Sequence, residues 1–281
     1  MNILYCGDKT TTDGIMISVL SLLKQVKEPL HIVVLTMRFE DEDKIYEAIP
    51  EVFIQFLDEL VKKTDASNFV TCVDMTSSFY KEFSKVTKYD GNVCYHMLKL
   101  YADQVSQIKD RVLYLNHDVI CCRDCSEFYH QDMVCYEVAG ALDRRMRYVI
   151  SKYVGREVPL NSGVLLLNMN KIRQSNLLQT CRKWCIEKKR ALPDQSALHK
   201  FAKNKKVLPR RYNEQSILYI DTVFRQFNSK WRVLPWPHKV TIKPWEVERL
   251  HEVLHVHAYD ELAEMYIQTK KVYEKKEIDA K

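Results

Sequence analysis

Short apolar segments alternate with helical segments over the first 115 residues of the chain. The apolar segments have strand length and lie at 2–6, 31–36, 68–75 and 111–115. Between them, 14–26 has the pattern of a buried helix, and a charged amphipathic pattern from about Glu40 to Lys62 predicts a second helix. Strands that alternate with helices form parallel sheets covered on both faces. The sequence therefore predicts an α/β fold with a mostly parallel central sheet flanked by helices.

The expected ligand site is the edge at which the parallel strands end, because α/β proteins bind ligands there. Asp8 and the Asn116-His117-Asp118 turn both follow predicted strands. The chain contains only six glycines, and neither GxGxxG nor GxxxxGK[ST] occurs. Glycine loops that hold dinucleotides or P-loop phosphates are therefore unsupported. A nucleotide bound at this edge would need a metal ion and basic residues to hold its phosphates.

The segment RVLYLNHDVI, residues 111–120, carries the strongest chemical signal. A buried apolar strand ends abruptly in three polar residues and then continues with Val119 and Ile120. A carboxylate at the end of a core strand is unfavourable unless it is paired or binds a cation. Asp118 is thus a candidate cation ligand, and a plain turn is the alternative interpretation of this segment taken alone.

Five segments resemble glycosyltransferase family 8, a family of retaining enzymes, and they occur in the family's order. YLNHDVI resembles the family's YLDxD stretch, and PLNSGVLLLN at 159–168 resembles its N-[AS]-G-V strand. The other three are GIMISVLSLL at 14–23, CYHMLKLYADQV at 94–105, and LPDQSALHK followed by VLPRRYN. The resemblance covers about residues 2 to 258 and implies a GT-A-type fold.

The resemblance also implies how the chain is organised. We expect residues 1–281 to form a single glycosyltransferase domain. About 1–120 would be its nucleotide-binding half and about 121–258 its sugar and acceptor half. Residues 259–281 would form a C-terminal helical tail.

The resemblance assigns roles to nine positions of this sequence. Asp8 would contact the nucleotide base, and Lys99, where the family usually has arginine, would lie close to the donor. The implied metal ligands are Asn116, Asp118 and His255. The implied sugar-binding and catalytic residues are Asp143, Asn161, Asp194 and Gln195, with Gln195 beside the anomeric carbon.

The implied reaction is the transfer of a hexose from a UDP-sugar to a hydroxyl of a saccharide or lipid-linked glycan, with retention of configuration. Negative charge develops on the leaving diphosphate, and a divalent cation can neutralise it. Oxygen ligands suit Mn²⁺ or Mg²⁺, and an added imidazole favours Mn²⁺. Gln195 is a poor nucleophile, so we favour attack on the same face through an oxocarbenium-like state.

Several departures from the family pattern motivate a catalytically silent nucleotide-sugar-binding protein as the main alternative. Asn116 stands where the family has aspartate, and Ser196 replaces a second acidic residue. The segment after His255 has Ala258 in place of a glycine and lacks the phosphate-binding lysine of the family's HxxGxxKPW motif. A KPW triplet does occur at 243–245, but it precedes His255, so a coincidence stays open.

A remote alternative is a zinc metalloprotease, because residues 251–255 read HEVLH, a literal HExxH motif. That motif requires a stable helix, whereas β-branched residues in the alternating pattern at 253–256 favour a strand. The cysteines at 121, 122 and 125 could likewise hold zinc, but one CxxC without a well-spaced second pair is weak. We interpret the nine cysteines as reduced core thiols.

The distribution of charge bears on partners and location. The net charge is +6, and basic residues cluster around 144–147, 188–190 and 203–211. Such clusters suit phosphates or an anionic membrane surface, and no nucleic-acid motif accompanies them, so we expect no nucleic-acid partner. Without a recognisable secretion signal or membrane span, we expect a cytoplasmic protein. The lysine-rich tail could contact the inner face of the membrane or pack on the domain as a solvated helix.

Overall fold

The computed structural model describes residues 1–41, 44–83, 95–144, 158–187, 193–232, 236, 238–254 and 256–279. Its strands are β1 (Asn2–Gly7), β2 (His31–Thr36), β3 (Phe39–Asp41), β4 (Lys44–Tyr46), β5 (Phe69–Asp74), β6 (Arg111–Leu115), β7 (Val119–Cys121), β8 (Val138–Ala141), β9 (Val164–Asn168), β10 (Lys205–Leu208), β11 (Phe224–Gln226), β12 (Lys230–Arg232) and β13 (His238–Val240).

Helices surround these strands. The α-helices are α1 (Thr12–Gln25), α2 (Glu51–Thr64), α3 (Thr76–Phe83), α4 (Ser126–Tyr129), α5 (Met169–Ser175), α6 (Leu177–Glu187), α7 (Pro193–Phe201), α8 (Val247–Leu254) and α9 (Asp260–Asp279). The described residues also form three 3₁₀ segments, and the longest of these covers Tyr95–Gln104.

A seven-stranded sheet with the order β10-β8-β9-β6-β1-β2-β5 forms the centre of the fold. Strand β1 pairs in parallel with both β2 and β6, β2 pairs in parallel with β5, and β10 with β8. Only β9 runs in the opposite direction, between β6 and β8. The predicted α/β fold with a mostly parallel sheet is therefore confirmed.

Both faces of the sheet are covered by apolar packing. Along β1, Ile3 and Tyr5 belong to a cluster that includes α1, α2 and α9, whereas Leu4 and Cys6 belong to a second cluster. The second cluster includes α3, the 3₁₀ segment at 95–104, α6 and α7. Because successive side chains of a strand point to opposite faces, two covered faces require the continuous apolar runs seen in the sequence.

The predicted helix from Glu40 to Lys62 is wrong in its first half. Strands β3 and β4 pair there as an antiparallel hairpin, and the helix begins only at Glu51. Pro50 lies at the position before the helix, with a φ of −62° and an extended ψ of 141°. Proline has no backbone N–H to donate and clashes with the preceding turn, so a helix cannot run through this position undisturbed.

The strand predicted around residues 253–256 is also wrong, because α8 extends to Leu254. Leu250 is buried, and Val253 packs against the same apolar cluster. These two positions are three residues apart and lie on one face of a helix. The alternation read from the sequence was thus part of a helical pattern seen over too short a window.

Helix α9 covers Asp260–Asp279 and packs on α1 and α2. The ring of Tyr273 lies 5.4 Å from that of Phe53 and 5.3 Å from that of Phe56 on α2. Lys270 Nζ lies 2.9 Å from a carboxylate oxygen of Asp13 on α1. Among the described residues, no helix has the length and apolar character needed to cross a membrane.

Candidate active site at the strand ends

The topology of the sheet brings three polar segments to one edge. Asp8 follows β1 and Asn116 follows β6, and these two strands are parallel neighbours. Strand β9 runs the other way, so Asn161, which precedes it, lies at the same edge. The backbone N–H of Asn116 donates to the carbonyl of Gly163 over 2.8 Å. Residues that are distant in sequence thus become neighbours.

Lys99 and Asp194 form a buried ion pair at this edge. Lys99 Nζ lies 2.8 Å from Asp194 Oδ2, and the two residues are only 1% and 3% exposed. Ser162 Oγ donates to the same carboxylate oxygen over 2.8 Å, and Lys99 also donates to the Ser162 carbonyl over 3.0 Å. Burial opposes ionisation of Asp194, but the ammonium of Lys99 outweighs it and lowers the pKa of the carboxyl.

Gln195 extends this arrangement to Asp143 and Asn161. Its Nε2 donates to Asp143 Oδ2 over 2.9 Å, and its Oε1 accepts from the backbone N–H of Ser162 over 3.1 Å. Asn161 Nδ2 donates to the same oxygen of Asp143 over 3.2 Å. Both ends of the Gln195 amide are therefore engaged, which holds the side chain in one orientation. We call Lys99, Asp143, Asn161, Ser162, Asp194 and Gln195 the buried network.

The turn formed by Asn116, His117 and Asp118, here called the strand-end turn, has a different set of partners. Asn116 Oδ1 accepts from the Tyr114 hydroxyl over 2.6 Å. Asp118 Oδ2 lies 2.5 Å from Lys243 Nζ. Burial opposes ionisation of Asp118, and the Lys243 ammonium overcomes it, so the pKa of this carboxyl is lowered. The cationic partner of Asp118 thus comes from the KPW triplet at 243–245.

Trp245 of the same triplet packs on the strand-end turn. Its ring centroid lies 5.7 Å from that of His117. A Cβ atom at Gly14 would lie 2.6 Å from the His117 carbonyl oxygen and 2.7 Å from the Trp245 ring, so only glycine fits there. This close approach joins the first turn of α1 to the strand-end turn.

His117 is held in its neutral form. It is 7% exposed, and burial lowers the pKa of its imidazole to about 4. Its Nδ1 atom is buried and has no hydrogen-bond partner in the part of the chain that the structure describes. An unpartnered buried polar atom is costly, which points to a role with a bound molecule.

The oxygen atoms around Asp118 fit a hard divalent cation. Gln226 Nε2 lies 3.4 Å from Asp118 Oδ1, and Gln226 Oε1 is buried without a partner among the described residues. Asp118, Asn116 and Gln226 together offer carboxylate and amide oxygens, which are the ligands that Mg²⁺ and Mn²⁺ prefer. Without a cation, the ammonium of Lys243 supplies the compensating charge.

Asp8 is fixed at the end of β1 by its own loop. Its Oδ1 atom accepts from the Thr10 backbone N–H over 2.9 Å and from the Thr10 hydroxyl over 2.5 Å. Burial raises the pKa of the Tyr95 phenol, and the carboxylates of Asp118 and Asp8 raise it further. Strands β1 and β6 pair in parallel with Leu4 opposite Tyr114, so Asp8 at the end of β1 lies beside the strand-end turn at the end of β6.

Eight of the nine residues singled out from the sequence are described, and they gather at this edge; the roles assigned to them stay predictions. His255 lies outside the described residues. The sequence reasoning did not single out Ser162, Gln226 or Lys243. The KPW triplet was the available signal for Lys243, whereas nothing in the sequence around Gln226 marked it.

Comparison with known proteins decides the family. The sequence model described as Glycosyl transferase family 8 matches residues 2–249. The chain belongs to glycosyl transferase family 8. The matched span includes the KPW triplet at 243–245 and ends before His255.

Among curated proteins, the chain is similar to a "Putative glycosyltransferase" of Haemophilus influenzae, with 23% identity over 225 residues. The alignment covers 76% of this chain and 63% of the relative, so the chain spans less than two thirds of that protein's length.

Solved structures of similar fold support the assignment of the architecture. The galactosyltransferase LgtC in complex with donor and acceptor sugar analogs has a TM-score of 0.65 at 13% identity and covers 95% of this chain and 96% of its own. The glycosyltransferase GlyE of Streptococcus pneumoniae has a TM-score of 0.59 at 18% identity, over 95% of this chain and 64% of its own. Mouse xyloside xylosyltransferase 1 has a TM-score of 0.55 at 15% identity, over 81% and 97%. At these identities the likeness shows the fold alone, and that fold is of the GT-A type.

Proposed function

We propose that this family 8 glycosyltransferase transfers a hexose from a UDP-sugar to a hydroxyl of a saccharide or lipid-linked glycan, with retention of configuration and with Mn²⁺ or Mg²⁺. The observation that carries the proposal is the Asp118–Lys243 pair, 2.5 Å apart, beside the buried network. In this proposal, the carboxylate would bind a cation and the neighbouring ammonium would bind a phosphate. In a donor complex, both groups would find partners of opposite charge.

The strand-end turn would bind the diphosphate end of the donor. Asp118, Asn116 and Gln226 would hold the cation, and Lys243, released from Asp118, would bind a phosphate oxygen. The cation would neutralise the negative charge that develops on the leaving diphosphate. Asp8, which lies beside Asp118, would contact the base.

The buried network would bind and orient the hexose. Asp143, Asn161 and Asp194 would hold its hydroxyls, and Gln195 would face the anomeric carbon. Because the Gln195 amide is fixed by Asp143 and by the Ser162 N–H, it can favour positive charge at that carbon without acting as a nucleophile. A solved LgtC structure of an active-site variant with glutamine changed to glutamate is consistent with a glutamine at the reacting centre.

The second candidate function is nucleotide-sugar binding without turnover. It is favoured by Asn116, which brings no charge to the cation site and whose Oδ1 already accepts from Tyr114. A cation held by one carboxylate would bind more weakly than one held by two. Cytoplasmic location and contact of α9 with a membrane stay predictions.

The experiment is release of UDP from a panel of UDP-sugars with Mn²⁺, Mg²⁺ or EDTA, together with calorimetric binding of each donor. We expect one donor to bind and to be hydrolysed slowly, with loss of both in EDTA. Binding without release, with or without added saccharide acceptors, would support the silent alternative. Failure of every donor to bind would contradict both functions.

Asp118→Ala is the variant that tests the site. It should abolish metal-dependent donor binding, because it removes the only carboxylate of the strand-end turn. Asp65→Ala is the matched control, since Asp65 is exposed before β5 at the opposite edge of the sheet. Equal donor binding by the two variants would contradict the proposed site.

A further inference from the structure

Three metal-binding side chains meet where α8 is joined to α9, outside the strand-end site. His251 lies on α8, His257 lies in the connection, and Asp260 is the first residue of α9. The potential ligand atoms of the three side chains all lie within 4.8 Å of one another. None of these residues takes part in the proposed transfer reaction.

The two imidazoles turn a ring nitrogen towards the same carboxylate. His251 Nε2 lies 2.7 Å from Asp260 Oδ1, and His257 Nδ1 lies 3.4 Å from Asp260 Oδ2. The two rings are stacked, with their centroids 4.5 Å apart and their planes at 26°. One carboxylate and two parallel imidazoles therefore converge on a single point.

This set of donors matches the preference of zinc. Zinc binds imidazole nitrogen and carboxylate oxygen at about 2.0–2.2 Å, so ligands around a tetrahedral ion lie about 3.3 Å apart. The atoms in this cluster need only small side-chain movements to reach that spacing. Two nitrogens and one oxygen suit zinc better than Mg²⁺ or Ca²⁺, which prefer oxygen ligands only.

We propose that His251, His257 and Asp260 bind one Zn²⁺ ion, with water at the remaining position. The ion would tie the end of α8 to the start of α9. Helix α9 is held on α1 and α2 through its later turns, and α8 begins two residues after Trp245. The zinc ion would thus stabilise the connection between the tail and the segment that carries Lys243.

The first histidine of the HExxH motif at 251–255 belongs to this cluster. A metalloprotease would use His251 and His255 as its pair of ligands. Here the described partners of His251 are His257 and Asp260, from the connection and the next helix. The site is exposed, with side-chain exposures of 35% for His251, 65% for His257 and 52% for Asp260, so an ion can enter from solvent.

The test is zinc binding by the EDTA-treated protein comprising residues 1–281, measured by competition with a chromophoric chelator. The wild-type chain should bind one Zn²⁺ ion tightly at this site. His257→Ala and Asp260→Asn should each weaken zinc binding at least about tenfold. Loss of a residue that only supports a metal ligand already lowers metal affinity by about that much. Asparagine is also favoured at helix N-termini, so Asp260→Asn should leave α9 folded.

His130→Ala is the matched control. His130 is exposed and pairs with Glu28 over 2.8 Å, which reproduces one imidazole–carboxylate contact without a second imidazole. It should bind zinc as the wild type does. Equal zinc affinity of His257→Ala and His130→Ala would overturn the proposal.

A second measurement separates this site from the strand-end turn. Zinc should raise the melting temperature of the Asp118→Ala variant as it does that of the wild type, and it should not raise that of His257→Ala. Loss of the zinc effect in Asp118→Ala, with its retention in His257→Ala, would place the ion at the strand-end turn and contradict the proposal. The outcome does not depend on transferase activity.

Discussion

The buried network and the strand-end turn lie at the same edge of the sheet, yet they differ in how their polar atoms are satisfied. Lys99, Asp194 and Gln195 have hydrogen-bond partners within the protein, and each of these residues is 5% exposed or less. The strand-end turn leaves His117 Nδ1 and the neighbouring Gln226 Oε1 without partners among the described residues. A satisfied network holds its members in place, whereas an unsatisfied buried atom is costly and can accept a further partner.

The lysine side chains of the two regions also differ in their exposure to solvent. The side chain of Lys99 is 2% exposed, and that of Lys243 is 25% exposed. Lys243 can therefore leave Asp118 and be solvated, whereas Lys99 cannot leave Asp194 without a large desolvation penalty. The Lys99–Asp194 pair therefore holds its side chains in place, whereas Asp118 can exchange Lys243 for another cation.

The largest expected effect is that of Lys99→Met on stability. The change leaves Asp194 buried without its ammonium partner, so the free energy of unfolding should fall by about 3–5 kcal/mol. Urea unfolding at neutral pH measures it. Replacing Asp194 by leucine in the same chain should recover part of the loss, because the uncompensated charge is then removed.

Lys243→Met should have a smaller effect, and a cation should reverse it. Asp118 loses its ammonium, but its carboxylate stays reachable by ions, so we expect a loss of about 1–3 kcal/mol. Added Mn²⁺ should raise the melting temperature of this variant more than that of Lys99→Met, in which Lys243 still competes with the cation for Asp118. An equal response of both variants to Mn²⁺ would contradict the difference drawn between the two regions.

The third prediction concerns the pH dependence that His117 contributes. Its pKa of about 4 lies below the value of about 6.5 expected for the unfolded chain, so between these values the unfolded state binds more protons. Stability should therefore fall as the pH drops from about 6.5 to 4, by up to about 1.4 kcal/mol per pH unit from this residue. Above pH 6.5 the residue should contribute no slope.

Comparison with His117→Gln isolates that contribution. The free energy of unfolding, measured by urea at pH 7, 6 and 5, should fall less steeply in the variant. The neighbouring side chains Asp8, Asp118, His96 and Lys243 are present in both proteins, so their contributions largely cancel. Parallel curves would show that the imidazole is not held neutral.

Asn116→Asp should have the smallest effect, and it tests the strand-end turn by adding a carboxylate instead of removing a charge. The new carboxylate adds charge to the cation site, so the affinity for Mn²⁺ should rise about tenfold, or ~1.4 kcal/mol. Calorimetric titration with Mn²⁺ measures it. If the silent alternative is correct, the same variant should also gain UDP release; unchanged Mn²⁺ affinity would show that residue 116 does not face the ion.

Much of the architecture could be predicted from the sequence because it depends on local patterns. The strands at 2–6, 31–36, 68–75 and 111–115 were found with small errors at their ends. Strands buried on both faces must be continuously apolar, and such runs are visible without knowledge of the fold. The polar residues that end these strands then predict which edge carries the site.

Local patterns failed where a single residue or a short window decides between structures. Pro50 ends the apparent helix pattern that starts near Glu40, and the preceding residues pair as a hairpin instead. Residues 253–256 alternate in polarity, yet helix α8 includes the first two of them. In both places the local preferences for helix and strand are similar, so contacts with the rest of the chain determine which of the two forms.

By itself, the sequence determined the sheet, the edge predicted to bind ligands, and the family resemblance, because each follows from residues that are neighbours along the chain. Only the tertiary structure decided that Lys243 faces Asp118 across 125 positions, that Gln226 adjoins the same carboxylate, and that His251 meets Asp260. Partners so far apart carry no periodic signal that a local pattern could reveal. Their pairing follows from how the helices and strands pack, which depends on the whole core.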